Sequence, residues 1–88
     1  MEKLNKIVNL VDTVDMMSSP DFKERFKAEY YQLKIRADSL NNMLIKMLTN
    51  NLDFKPKCSF DLLNAQLRAM DLYMNYLEDR AEIEGIEL

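Results

Sequence analysis

Two interrupted apolar runs, each advancing by alternating steps of three and four, constrain this chain more than any other feature. The first carries Phe26, Tyr30, Leu33, Ala37, Leu40, Leu44 and Met47, and the second Phe60, Leu63, Leu67, Met70, Met74, Leu77 and Ala81. Residues spaced this way fall on one stripe of an α-helix, whereas a strand would scatter them over both faces. A stripe sustained over about three heptads is the seam of a helix that packs lengthwise on a partner. Only the stretch "TNNLDFKPKC" separates the two seams. So short a connection brings consecutive helices back antiparallel.

Local punctuation agrees. In "SSPD", Ser19 is expected to cap a helix that has Pro20 in its first turn, where a missing N–H costs nothing. Asn50 and Asn51 suit the end of that helix, Pro56 cannot continue it, and Ser59 is the expected cap of the next. Upstream, Leu4, Ile7, Val8, Val11 and Val14 form a shorter stripe. The expected architecture is all-α, a single domain over residues 1–88, with helices at roughly 2–17, 20–49 and 59–83. A short N-terminal helix precedes a long antiparallel two-helix hairpin. One glycine and two prolines in 88 residues support long helices over sheet.

The seams do not use all the apolar surface. Tyr31, Ile35 and Ile45 lie off the first, and Leu62, Tyr73, Tyr76 and Ile83 lie off the second. A two-helix hairpin covers one face of each arm, so the N-terminal helix and a symmetric homo-oligomer are expected to cover the remainder.

Charge is uneven. Residues 23–57 carry eight Lys/Arg against four Asp/Glu, residues 58–88 carry two against seven, and the net charge is −3. Pairing between the arms accounts for this pattern, and a basic zone for an anionic ligand accounts for it as well. The overall sign disfavours duplex DNA as a partner. No apolar run is long enough to cross a membrane. A single cysteine, Cys58, rules out an internal disulfide framework, and a reducing cytoplasmic setting is expected.

Histidine is absent, which removes Ser-His-Asp and Cys-His nucleophile systems and most zinc sites. With one glycine there is no phosphate-cradling glycine-rich loop, and no Glu-x-x-His supports a di-iron bundle. Enzyme activity is therefore not expected. The seven methionines read as seam filling, since Met43, Met47, Met70 and Met74 fall on or beside the seams. Two clusters suit an anionic, base-bearing ligand. Tyr30, Tyr31, Lys34 and Arg36 set aromatic faces beside cations within two turns. Lys55 and Lys57 flank Pro56 just before the helix start at Ser59, where lysines and backbone N–H groups can hold a phosphate. A mixed helix surface and a solubilising turn are the plain readings of the same residues. Arg68, like Gln66, lies off the seam and is free for a surface between protomers.

The stretch "AEYYQLKIRADSL" fits E-Y-x-x-L-K-x-R-x-x-x-L through Glu29, Tyr30 or Tyr31, Leu33, Lys34, Arg36 and Leu40. "LLNAQLRAMDLYMNYLEDR" fits L-L-x-x-Q-L-x-A-M-x-x-Y-x-x-L-x-x-R through Leu62, Leu63, Gln66, Leu67, Ala69, Met70, Tyr73, Leu77 and Arg80. Over roughly residues 24–84 the chain resembles the helical-hairpin domain of phage-encoded cyclic-nucleotide sponges, the anti-CBASS and anti-Thoeris proteins. The resemblance implies a homo-oligomer, often a hexamer, in the cytoplasm of an infected cell. It also implies pockets between protomers that hold a cyclic di- or trinucleotide or a cyclic ADP-ribose-type signal without a cofactor. Aromatic rings stack on bases there, and Arg/Lys hold phosphates. Carried onto this sequence, the contacts are Tyr30, Tyr31, Lys34, Arg36, Lys55, Lys57, Ser59 and Arg68. Where members of that group place an arginine after the turn, this chain reads "KPKCSFD", with Lys57 and Ser59 nearest. The competing expectation is a small helical module that docks a host or virion protein.

Overall fold

A computed structural model describes residues 9–88, and the described residues are helical with no strand. A 3-10 turn, Leu10–Thr13, runs into a single α-helical turn, α1 (Val14–Met17). Two long helices follow, α2 (Phe22–Leu48) and α3 (Phe60–Glu84). The expected hairpin is present, with boundaries within two residues of those read from sequence.

Every residue of both seams faces the partner helix. Phe26 packs with Leu77, Ala81 and Ile86, flanked by Tyr30 and Leu33. Further along, Ala37 and Leu44 pack with Leu67, flanked by Leu40, Met47, Phe60, Leu63, Met70 and Met74. The start of α2 thus meets the end of α3, the antiparallel arrangement a short connection dictates.

Two contacts tie the flanks of the seam. The Tyr30 hydroxyl of α2 donates to Glu78 Oε2 of α3 at 2.6 Å. In the opposite sense, the Tyr73 hydroxyl of α3 donates to Glu29 of α2. At the open end, the Arg80 guanidinium lies 5.0 Å over the Phe26 ring and pairs with Glu84 at 3.5 Å.

The first helix cap differs from expectation. Asp21, in extended conformation, accepts from the Lys23 N–H at 3.0 Å and is the N-cap of α2. Ser19 instead accepts from the Asp21 N–H at 3.0 Å, closing a small turn across Pro20. A carboxylate at this position gains from the helix dipole as well as from the hydrogen bond, so it outcompetes the hydroxyl two residues earlier. At the second cap expectation and structure agree, since Ser59 Oγ accepts from the Leu62 N–H at 3.1 Å.

Both long helices end the same way. Asn50 has φ 59°, and the Asn51 N–H reaches back to the Lys46 carbonyl at 2.8 Å. Gly85 has φ 70°, and the Ile86 N–H reaches back to the Ala81 carbonyl at 2.8 Å. These are left-handed helix stops, and the second folds Ile86 into the core beside Ala81.

The N-terminal segment departs from the expected helix over 2–17. Its stripe residues Leu4, Ile7 and Val8 lie outside the described residues. From Asn9 onward the chain forms the 3-10 turn and the short α1 rather than one continuous helix. β-Branched Val11, Thr13 and Val14 disfavour a regular α-helix, and Thr13 bonds its own hydroxyl back to the Leu10 carbonyl at 2.7 Å. Thr13 is fully buried against α2, where its oxygen accepts from Gln32 Nε2 at 2.9 Å.

Candidate functional site

The eight residues singled out from sequence do not gather around one point of a single protomer. Tyr30 is half-buried on the hairpin flank with its hydroxyl committed to Glu78, and its ring meets that of Tyr31 edge-on at 5.3 Å. Burial, then the bond to the Glu78 carboxylate, pushes the Tyr30 phenol up from 10.0 to about 12. Lys34 pairs with Asp38 and Arg68 with Asp71, each at 3.8 Å on its own helix and exposed. Asp38, Arg68 and Asp71 line a small cleft of about 180 Å³ that also touches Asn41, and its two carboxylates offset its one cation.

Arg36 opens elsewhere, into a groove of about 480 Å³ between the N-terminal segment, α2 and α3. Leu10, Met43 and Met70 make its apolar walls, and Ser39 and Gln66 add polar groups. Among the described residues Arg36 makes no ion pair.

The largest of these concavities, about 550 Å³, sits at the hairpin turn. It exists because Asn50 takes the left-handed conformation, so that residues 51–56 fold back over the last turn of α2. Lys46 and Met47 of α2 line it together with Asp53, Phe54 and Lys55 of the turn. Lys55 is the one sequence-derived candidate here. Lys57 and Ser59 follow it on the exposed approach to α3, and the Ser59 hydroxyl is occupied by the helix cap. Cys58 is also exposed at this approach.

Sequence reasoning missed Lys46, Asn50 and Phe54. Phe54 was the available signal: an aromatic inside a polar turn, with no seam to belong to. Along α2, Tyr31 and Lys46 are ~22 Å apart by helical rise, so the tyrosines and the turn are separate places on one protomer.

Among the described residues, no group of three or more Cys, Asp and Glu side chains could hold a metal ion, and no helix is long and apolar enough to cross a membrane. Several residues of the two sequence patterns prove to be joints between the arms: Glu29 with Tyr73, Tyr30 with Glu78, and Arg80 on Phe26.

Fold and concavities together define a class, an all-α antiparallel hairpin protein with cation-bearing clefts at its turn and along one flank. The chain belongs to the Sequestin family, whose sequence profile matches residues 20–83, both arms and the turn between them. The family name points to sequestration and leaves the ligand unspecified. No match was found among curated proteins or among solved structures.

Proposed function

We propose that this protein is a phage anti-defence sponge. It binds a cyclic oligonucleotide or an ADP-ribose-derived immune signal, holds it without catalysis in the infected cell's cytoplasm, and so starves the effector that the signal would activate. Membership of the Sequestin family across both arms and the turn is the observation that carries this reading. A sponge needs shape, cations and stacking faces rather than a nucleophile and base, and the chain's side chains are of that kind, with no histidine. Self-association belongs to the same reading, because the candidate contacts are dispersed on one protomer and a second copy can bring the dispersed sets together.

The test is calorimetry of the purified protein against cyclic di- and trinucleotides and cyclic ADP-ribose isomers. Saturable heat with one of them, followed by recovery of unaltered ligand after denaturation, is the expected result. A changed ligand means an enzyme. Silence across the panel sinks the sponge.

A second reading, docking on a host or virion protein, has one observation in its favour. Leu62, Leu72, Tyr76 and Ile83 are all more than half exposed and share one face of α3. That face lies ~150° around the helix from the seam. Such a stripe serves a protein partner of either kind, another copy or a foreign chain.

A further inference from the structure

The hairpin-turn concavity carries a more specific assignment, which rests on the sponge reading. We infer that it is a subsite for one phosphorylated nucleoside unit of the ligand. Lys46 and Lys55 take the phosphate, and Phe54 takes the base.

Three observations converge on this place. It is an open concavity of about 550 Å³, a volume that can seat a small organic ligand. Among the described residues, neither Lys46 nor Lys55 is in an ion pair, whereas Lys27, Lys34, Arg68 and Arg80 all are. Two ammonium groups without an ion-pair partner in one concavity are suited to a phosphate, as point charges that do not demand a fixed fork geometry. Phe54 is 57% exposed on a loop whose path is fixed on either side by left-handed Asn50 and by Pro56. An aromatic face held open beside cations offers stacking to any base.

Asp53 and Asn50 narrow the class further. Asp53 places a carboxylate in the same lining, which repels a bare phosphate but accepts from a ribose hydroxyl or an exocyclic amine. The Asn50 side-chain amide makes no hydrogen bond among the described residues and can both donate and accept. The negative end of the α2 dipole also faces this place, so phosphate alone is a poor ligand and the base must contribute. The site therefore selects a nucleotide over both inorganic phosphate and an unphosphorylated nucleoside.

The experiment uses the full chain, labelled with nitrogen-15, and four probes: cyclic di-AMP, ADP-ribose, adenosine and inorganic phosphate. At least one of the two nucleotides is expected to shift amides within residues 46–57, with adenosine and phosphate far weaker. Lys46→Ala/Lys55→Ala is expected to weaken that nucleotide at least ~tenfold, and Phe54→Leu ~tenfold, in line with the worth of one stacked base. Lys27→Ala, at the far end of the hairpin, controls for loss of charge, and circular dichroism confirms that each variant is folded. Binding that shifts residues elsewhere, or that survives the double substitution, overturns this subsite and leaves sequestration standing. Absence of binding by both nucleotides overturns the subsite and counts against sequestration as well.

Discussion

At the scale of single residues, the side chains that hold the hairpin are sharply divided between buried apolar groups and tyrosine–carboxylate ties. Leu77 is 1% exposed in the cluster around Phe26. Leu77→Ala is expected to lower unfolding free energy by ~3 kcal/mol, read from urea denaturation, because it removes buried methylenes and leaves a cavity. Tyr30 gives a pH signature. Its phenol is raised from 10.0 to about 12 in the folded chain, chiefly by burial and the Glu78 bond. The unfolded chain therefore gives up this proton first. The stabilisation is fully present below pH 10 and is lost as pH rises toward about 12. Tyr30→Phe is expected to flatten this part of the stability curve, measured as the unfolding midpoint against pH. An equally steep decline in the variant would show that Tyr30 is not responsible.

At the scale of elements, the two long helices were legible because burial follows the heptad, and a heptad is visible in one dimension. Their caps were legible only in part. Ser59 stands alone before its helix, whereas Ser19 and Asp21 compete across Pro20, and only backbone geometry decides between them. The turn cavity was not legible, because it depends on residues 51–56 folding back after Asn50. Lys46 and Phe54 are eight positions apart and come together only through that fold. Asn50→Gly is expected to leave stability within a few tenths of a kcal/mol, and Asn50→Ala to cost ~1 kcal/mol, since a Cβ without a compensating amide is strained at φ 59°. Thermal unfolding of both variants checks this. The N-terminal segment was over-read as a helix because its stripe outweighed its β-branched residues. It is pinned at Thr13, whose hydroxyl both donates to the Leu10 carbonyl and accepts from Gln32. Thr13→Val is expected to raise hydrogen exchange over residues 10–17 ~tenfold while leaving α2 and α3 protected, as the loss of one to two net hydrogen bonds implies.

At the scale of the whole molecule, the protein is a rod rather than a ball. Its extents are 42 × 26 × 23 Å, and its radius of gyration of 15.4 Å exceeds the ~12 Å of a compact chain this long. Among the described residues only eight apolar side chains are buried, three of them alanine. So thin a core is in keeping with the self-association proposed above, in which a second copy would complete the protomer. Tyr76→Lys/Ile83→Lys, on the exposed stripe of α3, is expected to shift the sizing-chromatography peak to the protomer without loss of helical signal. An unchanged peak removes this face from the proposed self-association. The opposite-sense tyrosine ties, finally, solve a problem that the seams create. A repeat of seven looks the same after a slip of seven, so two heptad helices can slide ~10 Å along each other and re-form much of their packing. Tyr30 with Glu78, Tyr73 with Glu29 and Arg80 over Phe26 match at one setting only. They act as alignment pins that forbid axial slip, so that the walls on either side of any groove between the arms stay opposite one another.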